Sequence, residues 1–399
     1  MKKTIFTLLT CSLFCACKKN LEPVKSLLSQ SIVEEANEVI SPGVVFATNF
    51  GLDSSTLFCL NIADGSIQWQ FKAEGIFTKS ACIANDIIYV STGAPGKLFA
   101  INIKNGKGIW RRTLSYFAFE APAPCIDNGI VYAAANKDVY AFDAEDGNTI
   151  WHYHTKDYNN YNEIYSSPTV SNGHLYIGIK DFLYAFNASN GAVQWVHKSE
   201  NIRSSPCVLN GQVYYTGTDS FLYALDAVTG IKNWQYPVGY TSQASPCSNG
   251  YDKIFTATNP EAGVTSLYAV NSISGNKAWT YSETLSDAGN KGDPAYFDNA
   301  VYYSVTDSVF AFNAETGERK WASFIADGSN EVSHNSGVCA APGLLFLQGM
   351  DKRLHALNSS TGRELWSFSL DGYFYSDFSP VVLLKNGTAY YPTVSGMKQ

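Results

Sequence analysis

Every tryptophan of this 399-residue chain falls into one repeating frame. The eight are Trp69, Trp110, Trp151, Trp195, Trp234, Trp279, Trp321 and Trp366, spaced 39 to 45 residues apart. A glycine stands four residues before each: Gly65, Gly106, Gly147, Gly191, Gly230, Gly275, Gly317 and Gly362. Four residues before each glycine stands Asn or Asp: Asn61, Asn102, Asp143, Asn187, Asp226, Asn271, Asn313 and Asn358. The runs ahead of these, such as LYALD ending at Asp226, alternate with period two, as a strand packed on both faces does. The Asn or Asp then opens a turn and the glycine supplies a positive φ, so each unit predicts a hairpin whose second strand carries the tryptophan.

Upstream in each unit lies a second hairpin, as in SPTVSNGHLYIG (167–178) and SPCVLNGQVYYTG (205–217). Asn-Gly between apolar runs is a strong hairpin signal. Four strands in about 42 residues make a propeller blade. Both hairpins occur eight times, but the chain starts late in one unit and ends early in another. The expected fold is therefore an all-β, eight-bladed propeller over residues 43–399, closed by pairing residues 379–392 with residues 44–71. With 25 Tyr, 23 Phe and 31 Gly, composition favours strands and tight turns. A net charge of −7 with no basic block argues against nucleic acid as a partner.

The N-terminus reads as an export signal over residues 1–16. Lys2 and Lys3 precede an apolar stretch, Ile5 to Ala16, that is too short to span a bilayer. It ends in Phe14-Cys15-Ala16-Cys17, which resembles the bacterial lipobox; that resemblance implies cleavage before Cys17 and acylation of its thiol. An ordinary secretory signal cut elsewhere is the alternative. Residues 17–42 then read as lipid anchor and linker. Of the remaining cysteines, Cys82, Cys125, Cys207 and Cys247 share one repeat position, which Thr169, Ala295 and Val381 fill in other units. That position lies on the innermost strand. Small buried hydrophobes are the expected role, with a redox or metal ring as the competing one.

The pattern A-x-[DN]-x-x-[TSND]-G-x-x-x-W, complete from Ala224 to Trp234, resembles the tryptophan-docking motif of PQQ-type quinoprotein propellers. The resemblance covers residues 43–392 and implies that each tryptophan packs on the glycine peptide of a neighbouring blade. Within that superfamily the chain looks most like the non-enzymatic, BamB-like lipoproteins of outer-membrane protein assembly. It also resembles PQQ-dependent alcohol dehydrogenases, but many of those carry an adjacent Cys pair, absent here, and no calcium ligand set can be matched. No PQQ, calcium or other cofactor and no metal is therefore expected.

Ligands of propellers sit at the axis on the face carrying the longer loops between blades. Here those connections are aromatic, and Tyr116, Phe117, Tyr158, Tyr161, Tyr165, Tyr373 and Tyr375 form a candidate binding face for protein or glycan. Packing of about half of them on blade edges is the competing reading. Asp138, Asp181, Asp219, Asp307 and Asp351 recur just before the third strand of their units, where turn capping outweighs cation binding. His152 and His154 point the same way after Trp151, two ligands with no third in sight. The expectation is a non-catalytic, monomeric scaffold tethered in the outer membrane, periplasm-facing, that binds envelope proteins. A solute- or glycan-binding propeller and a quinoprotein oxidoreductase are the alternatives.

Overall fold

The structure is a computed structural model that describes residues 42–49, 51, 54–115, 121–155, 164–239, 244–258, 264–284, 292–305, 308–325, 336–349, 351–371 and 378–391. Eight antiparallel sheets arrange as the blades of a propeller, and all regular structure among the described residues is β. Blades 2 to 8 follow one another in sequence, each running from an innermost strand at the axis to an outermost one. The innermost strands are Cys82–Ala84, Cys125–Asp127, Thr169–Ser171, Cys207–Leu209, Cys247–Ser248, Ala295–Phe297 and Cys339–Ala341.

The Asn-Gly turns behave as their chemistry requires. Asn128 and Gly129 take φ of 48° and 76°, and Asn210 and Gly211 take 51° and 73°. Two successive positive φ values twist the turn with the flanking strands.

The small residue of the tryptophan motif also has a local reason. In each blade it lies directly across from the tryptophan, Cys59 from Trp69 and Ala224 from Trp234, for example. Pairing slips by one residue immediately after it in all eight units. This bulge bends the outermost strand and turns the indole out of the sheet toward the next blade.

There each indole lies flat on a glycine whose φ is between +68° and +74°. A Cβ on any of the eight would stand only 2.5 to 2.7 Å from the ring. Each indole Nε1 also donates to a carbonyl of that neighbouring turn, as Trp195 does to Ala227 at 3.1 Å and Trp279 to Ala314 at 2.9 Å. The last contact of the series, Trp366 on Gly65 with Nε1 donating to Ile62 at 3.1 Å, closes the ring. The apolar core sits between blades. Tyr132, Trp151, Leu175, Ile177 and Phe186, for instance, form one cluster spanning blades 3 and 4. Outermost strands alternate exposed and half-buried residues, as in Val193–Lys198.

Blade 1 closes the ring by the expected pairing of the chain's two ends, with one difference. Gly43–Thr48 pairs with Val381–Leu384, as complementary ends should. The other arm of the last hairpin, Ala389–Tyr390, does not reach the N-terminal strands. It pairs with the axial edge of Val381–Leu384 and becomes a fifth, innermost strand. The slot that the second arm fills in other units is here already taken by Gly43–Thr48. Blade 2 also carries an added short strand, Ile76–Phe77.

Candidate functional site

The axial mouth on the side of the inter-blade loops is built by the segments leading into the innermost strands. Four of them present a short polar side chain just before proline: Ser167-Pro168, Ser205-Pro206, Ser245-Pro246 and Asp293-Pro294. These side chains form a hydrogen-bonded belt from blade to blade. The amide of Ala123 donates to Ser167 Oγ, that of Ser167 to Ser205 Oγ and that of Ser205 to Ser245 Oγ, each at 3.0 Å. The amide of Ser245 then donates to Asp293 Oδ1 at 2.6 Å. Between blades 2 and 3, Thr78 Oγ1 accepts from the Ala121 amide at 2.9 Å. Sequence reading took these serines only as hairpin starts; the recurring Ser-Pro step was the available signal.

Asp293 is the carboxylate in this hydrogen-bonded belt. Burial pushes its carboxyl above the usual range, against the pull of the Ser245 amide and of Lys79. One blade pair along, the Arg203 guanidinium stacks on the Tyr165 ring at 4.5 Å. Arg203 Nε is buried there without a hydrogen-bond partner. Of the aromatic residues expected on this face, Tyr165 alone is described; Tyr116, Phe117, Tyr158, Tyr161, Tyr373 and Tyr375 lie outside the described residues.

The thiols ring the axis below this mouth. Cys339 joins Cys82, Cys125, Cys207 and Cys247 at the shared position, a fifth member that the sequence pattern hides because Gly337-Val338 replaces the usual proline step. No disulfide joins the six described cysteines. Burial pushes the thiols of Cys82, Cys125 and Cys247 up, and those of Cys59 and Cys339 to about 12. Such thiols pack as small apolar groups, with neither the thiolate character nor the exposure that redox or metal chemistry needs.

On the side of the tight turns, the terminal strand lies inside the ring. Tyr391 Oη accepts from the Ile83 amide at 3.0 Å and donates to the Ile83 carbonyl at 3.1 Å. Tyr390 packs edge-on against Phe297 of blade 7, and its carbonyl accepts from Cys339 Sγ at 3.3 Å.

Two of the recurring aspartates hold backbone amides. Asp181 Oδ1 accepts from the Asn201 amide at 3.1 Å, and Asp351 accepts from the Arg353 amide at 3.1 Å. Asp219 accepts from the Tyr223 hydroxyl. Asp307 lies outside the described residues.

A family model described as outer membrane protein assembly factor BamB matches residues 53–168, 160–282 and 305–397. Comparison with curated proteins finds no match. Among solved structures, BamB from Moraxella catarrhalis is similar at 16% identity and a TM-score of 0.58, over 79% of this chain and 93% of that one. Quinohemoprotein alcohol dehydrogenase from Comamonas testosteroni is similar at 12% identity and a TM-score of 0.56, over 90% and 76%. A europium-containing methanol dehydrogenase is similar at 14% identity and a TM-score of 0.52, over 88% and 81%. At these identities the structural likenesses establish the fold and leave the activity open.

Proposed function

The chain belongs to the family of outer membrane protein assembly factor BamB, and from that premise we propose that it is a non-catalytic, lipid-anchored scaffold of the cell envelope that binds other proteins during outer-membrane protein assembly. The family match along most of the propeller carries the reading. Cys17, after a short apolar stretch, supplies the anchor in this proposal. Among the described residues no helix is long and apolar enough to cross a membrane.

Support also comes from the axis, where a quinoprotein would hold PQQ and its calcium ion. Calcium takes six to eight oxygen ligands. The belt at the axial mouth includes one carboxylate, Asp293, which is engaged by the Ser245 amide. Below it lie neutral thiols and the chain's own Tyr390 and Tyr391. Among the described residues, these donors do not fit the pair.

The test is crosslinking in the native envelope, recovery on a tag placed after Gln399, and mass spectrometry of the captured proteins. β-Barrel assembly components in the crosslinked fraction are the expected result. Recovery of no envelope protein, or dye reduction dependent on added PQQ and calcium, overturns the scaffold reading.

A further inference from the structure

The geometry points to a divalent transition-metal site on blade 3, formed by Asp138, His152 and His154, independent of the scaffold reading. The strands Asp138–Asp143 and Thr149–His154 pair antiparallel with Asp138 opposite His154 and Tyr140 opposite His152. Period-two alternation therefore places all three ligating side chains on one face of the sheet. Their ligand atoms lie within 4.8 Å of one another. His152 Nε2 stands 2.6 Å and His154 Nδ1 2.8 Å from the same oxygen, Asp138 Oδ1. The third ligand that the two histidines lacked in the sequence is thus supplied from across the strand pair.

Two further observations separate this cluster from an incidental surface contact. First, its ligands are held in place. The His152 ring stacks on Tyr140 at 4.5 Å with an interplanar angle of 4°. Tyr140 is in turn fixed by its hydroxyl, which donates to the Leu114 carbonyl at 2.8 Å. Second, the repeat supplies its own control. The same three positions carry Phe182, Val196 and Lys198 in blade 4 and Ser266, Thr280 and Ser282 in blade 6. No other blade has His, Cys, Asp or Glu at any of them. Blade architecture therefore does not require the constellation.

The donor set selects the ion. Two imidazole nitrogens and one carboxylate oxygen suit zinc, nickel or copper and are poor ligands for calcium or magnesium. Zinc binds imidazole nitrogen at about 2.0–2.1 Å and carboxylate oxygen at about 2.0–2.2 Å, so tetrahedral ligand atoms sit roughly 3.3 Å apart. The present hydrogen-bonded separations widen to that value by small rotations of half-exposed side chains. To bind the ion, each imidazole turns a bare ring nitrogen toward it, its hydrogen sitting on the other nitrogen. Three protein ligands leave a fourth position open, and with His152 at 43% and His154 at 61% side-chain exposure it faces water.

The test uses full-length protein in detergent, carrying no polyhistidine tag, titrated calorimetrically with zinc and followed in the visible range with cobalt as a spectroscopic probe. The expected result is one equivalent of zinc bound in the micromolar range. His154→Gln and Asp138→Asn each weaken binding by at least about tenfold. His174→Gln, on the neighbouring blade, leaves it unchanged. Thermal unfolding of each variant is measured alongside and is expected to stay near the wild-type value. Absence of zinc binding in the micromolar range overturns the proposal, as does unchanged affinity in a folded His152→Gln/His154→Gln protein.

Discussion

Replacing Gly230 by alanine, with Gly211→Ala of the same blade as its partner experiment, isolates what tryptophan docking contributes. Both glycines have nearly the same backbone, φ of +70° and +73°. An alanine pays the same left-handed conformational cost at each, about 1–2 kcal/mol. Their surroundings differ completely: a Cβ at Gly211 meets nothing within 4 Å, whereas one at Gly230 stands 2.6 Å from Trp195 Cδ2. The indole must then move off the turn. That breaks its 3.1 Å hydrogen bond to the Ala227 carbonyl, worth about 1 kcal/mol. Repacking of the crowded contact adds about 1–3 kcal/mol. Gly230→Ala should therefore cost about 2–4 kcal/mol more than Gly211→Ala, read as the difference in guanidinium unfolding followed by circular dichroism. In a Trp195→Ala background the excess should vanish, because the clash has lost its other half. Equal costs for the two glycines, or an excess that survives without Trp195, would refute the docking argument.

Other expectations follow from the axis. The raised carboxyl of Asp293 favours its protonated form in the folded state, so its contribution is fully present below the ordinary carboxylate value near pH 4 and is lost as pH rises through the raised one. Asp293→Asn should then match wild type in acid and gain relative stability toward neutral pH; parallel melting-temperature profiles would count against it. Tyr391→Phe removes both hydrogen bonds to Ile83 and should cost about 1–2 kcal/mol in denaturant unfolding; an unchanged midpoint would mean the terminal segment does not seat inside the ring. Buried Cys59, Cys82, Cys207, Cys247 and Cys339 should resist iodoacetamide at pH 8 until the protein is unfolded, as mapped by peptide mass spectrometry. Rapid labelling of any of them in the native protein contradicts the packing described.

The blade count and the docking frame were legible because each rests on local chemistry. A turn needs its Asp226 and Gly230, a bulge needs a small Ala224, and the repeat states these requirements eight times. What stayed hidden depends on partners far apart in sequence. Asn386-Gly387 reads like every other hairpin turn, and nothing near it reveals that Gly43–Thr48 already occupies the place its second arm would take. Asp138 looked like one more turn aspartate because its relation to His152 and His154 is set by cross-strand register, which the bulge after Ala141 shifts by one residue. The serine belt was missed for a similar reason: each hydroxyl serves the adjacent blade, about 40 residues away.

Closing the ring through Val45 and Val382 also imposes an order in time. At ordinary rates of synthesis, the strand that begins the domain waits on the order of tens of seconds for the one that completes it. Throughout that interval Gly43–Thr48 presents a bare line of amides and carbonyls, the template on which foreign strands add. A second nascent copy carries the same Val381–Leu384 segment and can satisfy that line as well as the chain's own end does. Crowding of unfinished molecules during synthesis therefore favours rings stitched together from two chains, and whatever delays the Val381–Leu384 segment lengthens the opportunity.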